Sequence, residues 1–259
     1  MTARILTALA ACSTLASAAL VEKPVVYEQG GVKLEGFHVF DDAITGQRPG
    51  ILVVHQWTGL SNHEKEQSRK LAELGYNVFA VDVYGQGVRP TNPTDAGKEA
   101  GKYKGNRELL RERLYAGLEV LKKDEHTDQS KLGAIGYCFG GMGVLELARA
   151  KVDLKGVVSF HGSLDAATGM AAPKDGVKAK VLVLHGADDP HAPAAQVEGL
   201  KKEMADAGAD CRVVLYPGAV HAFTQKDAGS DPSKGVAYNE AADKGSWQEM
   251  KEFFATLFK

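Results

Sequence analysis

Cysteine is scarce in this 259-residue chain: there are three, at positions 12, 138 and 211. So few thiols exclude a disulfide-stapled scaffold. The histidines and acids show no His-Glu-x-x-His and no paired Cys/His spacing of a metal site. Glycine-rich phosphate loops of the Gly-x-Gly-x-x-Gly or Gly-x4-Gly-Lys-Ser/Thr type are also missing, so the expectation is a protein with no metal and no cofactor. Charge of one sign is lacking as well. The formal net charge is −2, with no long acidic or basic block, which argues against a nucleic-acid partner or a polybasic membrane patch. Internal repeats and low-complexity tracts are absent.

A long apolar run is missing too, although the N-terminus comes nearest to one. From Ile5 to Leu20 there is no charged residue, and Ala16-Ser17-Ala18 has the small-x-small pattern of a signal peptidase site. The run is short for a transmembrane helix, which needs roughly 20 apolar residues. The expectation is a secretory signal over residues 1–18 and a single α/β domain over 19–259. The mature chain is then secreted or periplasmic, without stable membrane insertion. Leu9-Ala10-Ala11-Cys12 offers lipidation at Cys12 as the alternative, but the apolar segment before it is very short. Of the remaining cysteines, Cys211 opens an apolar strand and reads as structural.

What is present is a regular alternation. Ile51–Val54, Val78–Val81, Leu132–Ile135, Val157–Phe160, Val181–Leu184 and Val213–Tyr216 are near-continuous apolar runs. Strands of this kind are covered on both faces, as in a parallel sheet flanked by helices. Helical spacing falls between them: Ser61 to about Leu74, opening on the capping box Ser61-Asn62-His63-Glu64, then Arg107–Lys123, Met142–Ala150, Ala194–Ala207 and Gly245–Phe258. Val25–Tyr27 and Val32–Phe40 read as an antiparallel edge hairpin, and Asp165–Ala179 as a surface loop. The fold class is therefore α/β, a mostly parallel doubly wound sheet. Ligands in such sheets bind beyond the carboxyl ends of the strands.

Chemistry-bearing residues occupy those ends. Gly136-Tyr137-Cys138-Phe139-Gly140-Gly141 lies between a strand and a helix, in the Gly-x-nucleophile-x-Gly arrangement that exposes a nucleophile on a tight turn. By itself this reads equally as a buried cysteine in a glycine-rich turn. After the next strands come His185-Gly186-Ala187-Asp188-Asp189 and Pro217-Gly218-Ala219-Val220-His221. Cys138, an aspartate at 188 or 189, and His221 thus follow in the order nucleophile, acid, base.

These motifs, with Val81-Asp82-Val83-Tyr84-Gly85 and His55-Gln56-Trp57-Thr58-Gly59, resemble the dienelactone hydrolase family of α/β-hydrolases over residues 25 to 258. The resemblance implies an α/β-hydrolase fold and a small-molecule ester or lactone substrate. It also implies Cys138 as nucleophile, His221 as base and Asp189 as orienting carboxylate, with Asp188 left as a turn residue. The oxyanion would be held by the backbone N–H groups of Trp57 and Phe139. Gln56, Tyr84 and Gln225 are candidate substrate contacts; Tyr84 could join Trp57, Tyr137 and Phe160 in an aromatic wall, with core packing as the default reading. Two departures stand out: Gln56 occupies a position where the family places glutamate, and Gln225 one where it places arginine. His55 and His191 are secondary candidates for the pocket, whereas His161 and His185 read as buried polar groups. The readings from other classes are a redox-sensing thiol at Cys138 on the same scaffold, or a peptide or thioester hydrolase.

Overall fold

The computed structural model describes residues 20–259. The expected signal segment and Cys12 lie outside the described residues. The chain enters through a hairpin of β1 (Leu20–Gln29) and β2 (Val32–Asp41), paired from Leu20↔Asp41 to Gln29↔Val32. Gly30 and Gly31 close it, both at positive φ (59° and 74°), as a two-residue turn matched to strand twist requires. The hairpin begins five residues earlier than its sequence pattern indicates. Exposed Glu22, Lys23 and Pro24 obscure the alternation there, and such residues belong on an edge strand.

Six further strands follow: β3 (Arg48–Val54), β4 (Asn77–Val81), β5 (Thr127–Tyr137), β6 (Gly156–Phe160), β7 (Lys180–Gly186) and β8 (Cys211–Tyr216). The sheet order is β1-β2-β4-β3-β5-β6-β7-β8, antiparallel through β2–β4 and parallel from β4 onward. Six helices flank it: α1 (Asn62–Glu73), α2 (Pro93–Gly105), α3 (Arg107–Lys123), α4 (Phe139–Arg149), α5 (Ala194–Asp206) and α6 (Glu240–Leu257). The mostly parallel α/β-hydrolase sheet is therefore present.

Successive strand residues feed opposite cores, which is why the strands read as unbroken apolar runs. Leu52, Val54, Phe79, Val81, Ala134 and Val183 pack with the α3–α5 face. Ile51, Val53, Val78, Ala80, Ile135 and Leu182 pack with α1 and α6 around Leu71, Met250 and Phe254. On the α3–α5 side, fully buried Arg149 bonds Glu146, Glu203 and the Leu164 carbonyl, tying α4 and α5 to the loop after β6.

Three details differ from the sequence pattern. The helix α2 was not indicated: its buried positions are only Ala96, Ala100 and Tyr103, too few for an apolar stripe, and its cue is Asn92 capping Asp95 N–H ahead of Pro93. Helices α4 and α6 start earlier than Met142 and Gly245, at Phe139 and Glu240. Strand β8 is not covered on both faces; among the described residues it pairs only with β7, and Leu215 is 46% exposed. Cys211 at its start is half-buried, and burial pushes its thiol up to about 11. Among the described residues no helix is long and apolar enough to cross a membrane.

Phe254 is fully buried and stacks on Phe258, with ring centroids 5.2 Å apart. Phe254→Ala should lower unfolding free energy by about 3–5 kcal/mol, measured by urea denaturation. A loss below about 1 kcal/mol would contradict this placement of the core.

Candidate active site

The turn from β5 into α4 is held by contact between backbones. A Cβ on Gly136 would run into the Gly140 carbonyl, and one on Gly140 into the Val54 and His55 carbonyls. Only glycine lets α4 start this close to β3 and β5. Cys138, between them, has φ 53° and ψ −111°, a conformation rarely adopted by a residue with a side chain. Its N–H donates to the Phe160 carbonyl at 3.0 Å, and its own carbonyl accepts from Met142 N–H at 3.2 Å. The strained residue is thus fixed on both sides, at the N-terminus of a helix whose dipole favours negative charge.

Two loops bring partners to this thiol. Beyond β7, Asp189 is 3% exposed; Oδ1 accepts His191 N–H at 2.8 Å, and Oδ2 lies 2.9 Å from His221 Nδ1. His221 Nε2 lies 3.1 Å from Cys138 Sγ. The loop carrying His221 is pinned by His221 N–H to Gly235 O (3.2 Å) and Ala237 N–H to His221 O (3.1 Å). Asp188 instead accepts Gly218 N–H at 3.0 Å, bracing the loop beyond β8. Of the two aspartates, then, only Asp189 reaches the histidine.

Electrostatics around His221 are one-sided. Burial disfavours its charge, but the hydrogen bonds and negative charge offered by Asp189 and Cys138 outweigh that and push it up to about 10. Asp189 is likewise pushed up by burial, yet its bonds and attraction to His221 leave it below its usual range. Nearby rings behave oppositely. His161, fully buried 5.3 Å from His221 between ring centroids, is driven well below its usual value by burial and by the neighbouring imidazoles. It holds Thr224 Oγ1 at 2.9 Å, and His185 donates to Ala192 O at 2.8 Å; both are buried polar groups, as the sequence suggested. His191 packs against His221 at 4.9 Å.

The turn after β3 completes the site. Gln56 O accepts from His55 Nδ1 at 2.6 Å and from Gly59 N–H at 3.1 Å. His55 Nε2 accepts Val83 N–H at 3.2 Å, so its single proton sits on Nδ1, and burial keeps the ring neutral. The carbonyl and N–H of a trans peptide point in opposite directions. Holding Gln56 O therefore turns the Trp57 N–H away from His55 and Gly59. Among the described residues nothing accepts the Trp57 N–H, nor that of Phe139, the first residue of α4.

Cys138, His221, Trp57, His191, Gln56 and Gln225 all line one cavity of about 790 Å³. Gln225 Nε2 donates to Gln56 Oε1, and both side chains are buried; the two departures from the family pattern, 169 residues apart, are one contact. Tyr84 requires correction as a substrate contact. It is absent from the cavity lining, and its hydroxyl donates to Trp57 O at 2.9 Å. The same holds for His55, which is fully buried beneath the turn. Sequence reasoning missed His63, Lys104 and Asp227 in the lining. No local signal marks them, because the fold alone brings them to the mouth. A second cleft, of about 540 Å³ beside β2, shares none of these residues.

A model described as the dienelactone hydrolase family matches residues 34–258. The chain is 35% identical to a dienelactone hydrolase-like promiscuous phosphotriesterase from metagenomic libraries. That crystal structure covers 94% of this chain and 100% of its own, with TM-score 0.87. The solved structure m3DLH is 30% identical over 93% of this chain and 100% of its own, also with TM-score 0.87. A protein of Methylorubrum extorquens, provisionally named carboxymethylenebutenolidase, is 30% identical over 81% of this chain and 72% of its own.

A histidine whose pKa is raised by folding adds stability that is full below its unfolded value, near 6.5, and is lost as pH rises through its folded value. The stability gap between wild type and His221→Gln, from urea denaturation, should therefore be largest near pH 6 and shrink toward pH 10. A gap that widens with pH would contradict the bonding around His221.

Proposed function

The chain belongs to the dienelactone hydrolase family, and from that premise we propose that it hydrolyses uncharged carboxylic esters or lactones with Cys138 as nucleophile. The observation that carries this reading is the hydrogen-bonded line Cys138 Sγ–His221–Asp189 opening on a 790 Å³ cavity. His221 Nε2, 3.1 Å from Sγ, is placed to take the proton of the thiol, and thiolate is the reactive form of cysteine.

In the reaction the thiolate adds to the ester carbonyl, forming the S–C bond and placing the carbonyl electron pair on oxygen. The unshared N–H groups of Trp57 and Phe139 receive that oxyanion, and one such donor is typically worth about 10²–10³ in rate. Collapse expels the alkoxide, which takes the Nε2 proton of His221 and leaves as alcohol. Neutral His221 then removes a proton from water as it attacks the thioester. Expulsion of the thiolate releases the acid and restores the imidazolium. Asp189 holds the ring in place throughout and stabilises its charged form.

Substrate class follows from the lining. Gln56 and Gln225 satisfy each other as neutral amides, so neither offers the charge-assisted pair that a carboxylate-bearing lactone would use. Lys104 and Asp227 are exposed at the rim with opposite signs. The neutral Gln56–Gln225 pair, together with the phosphotriesterase relative, favours neutral phosphotriesters as a second substrate class. The reading includes export: residues 1–18 are a removed signal and the remainder is one catalytic domain acting outside the cytoplasm. N-terminal sequencing of the exported protein would overturn this part if it began at Met1.

Cys138→Ala should abolish turnover of p-nitrophenyl esters while thermal unfolding stays cooperative; retained turnover would remove Cys138 from the mechanism. Gln225→Arg should raise kcat/KM for a carboxylate-bearing lactone over its neutral methyl ester by about tenfold or more, as a charged hydrogen bond is worth about 1.5–3 kcal/mol. An unchanged ratio would show that this amide does not face the acyl group.

A further inference from the structure

Glu64 is fully buried, yet among the described residues no Lys, Arg or His nitrogen lies within 4.0 Å of its carboxylate. Burying an unpaired charge is costly unless donors surround it. Its partners are all donors from the segment leading into α1. Oε2 accepts Ser61 N–H at 2.8 Å and Ser61 Oγ–H at 2.7 Å, which completes a capping box. One oxygen therefore meets the whole need of the helix cap. The other reaches out of the helix: Oε1 accepts the Gln56 N–H at 3.2 Å.

That bond falls in a particular place. Three consecutive peptide groups run through the turn after β3, and each is held by its own partners. Glu64 takes the N–H of the first, His55 and Gly59 take the carbonyl of the second, and Tyr84 takes the carbonyl of the third. The second group carries the Trp57 N–H. Rotating the first about the Gln56 Cα would swing the second out of line, because adjacent peptide planes share only the φ and ψ of one residue.

We propose that Glu64 is a positioning residue for the oxyanion hole, its carboxylate anchoring the Gln56 N–H so that the Trp57 N–H stays aimed at the reacting carbonyl. The inference rests on the ester-hydrolase reading above and adds to it a residue that touches neither substrate nor thiol. It also gives a functional reason for a buried carboxylate that a helix cap does not require.

The test compares Glu64→Gln and Glu64→Asp with wild type. Glutamine keeps the length but has one acceptor oxygen for two sets of donors. Aspartate keeps the charge and the cap at Ser61 but is too short for Gln56. Two reactions are read at Cys138. Hydrolysis of p-nitrophenyl butyrate passes through an oxyanion; alkylation by iodoacetamide forms the S–C bond by expelling iodide and does not. Both variants should lose about 10- to 100-fold in kcat and equally in kcat/KM, the signature of an interaction made in the transition state. Alkylation should stay within about twofold of wild type, since the helix dipole and His221 that activate the thiol are untouched. Folded variants that hydrolyse the ester at the wild-type rate would overturn the inference alone. Alkylation falling in parallel with hydrolysis would also overturn it, by showing that Glu64 acts on the thiol or the fold at large. Wild type that is alkylated at Cys138 yet hydrolyses no ester would overturn both this inference and the functional reading. Should Glu64→Gln fail to fold, Glu64→Asp carries the decision.

Discussion

Everything at this site depends on how closely the first turn of α4 approaches β3 and β5. Gly136 and Gly140 permit backbone-to-backbone contact where any side chain would collide. That contact holds Cys138 in its left-handed conformation. A strained residue persists only when its surroundings over-determine it, and here the Phe160 carbonyl, the first turn of α4 and the two glycines together do so. From this one constraint follow the exposure of Sγ toward His221, the position of Phe139 N–H at the helix start, and the proximity of the thiol to the turn after β3.

Around that point the chain sorts its histidines by environment. His221 is bonded on one side to a carboxylate and on the other to a thiol, so its charged form is favoured despite burial. His161, His55 and His185 are more fully enclosed and bonded to neutral groups, and burial keeps them uncharged. Identical side chains around one site thus take opposite roles, one able to carry a proton and the others serving as neutral struts. The difference lies in the partners.

The pairing of Gln56 with Gln225 joins two uncharged amides from distant parts of the chain. Both side chains keep a hydrogen bond across the cavity, while neither carries charge. Two residues far apart along the chain form one polar unit in space, and that unit lines the same cavity as Cys138 and His221.

Much of this could be read from the sequence. Strand runs buried on both faces, a glycine-framed cysteine, and Asp189 and His221 at successive strand ends all depend on local spacing, which the linear chain records. The capping box at Ser61 and Glu64 was legible for the same reason. Helix α2 was not, because its few buried residues leave no periodic trace, and neither was the exposure of β8, because edge position is a property of the sheet. The sequence alone thus determined the class of fold and the order in which Cys138, an aspartate at 188 or 189, and His221 follow the strands. Only the tertiary structure decided that Asp189 and not Asp188 meets His221, that Tyr84 supports the turn from behind, that the two glutamines touch, and that the second oxygen of Glu64 reaches Gln56. Each of these is a contact between segments whose side-chain directions depend on how the strands and loops pack, and no residue spacing encodes a direction.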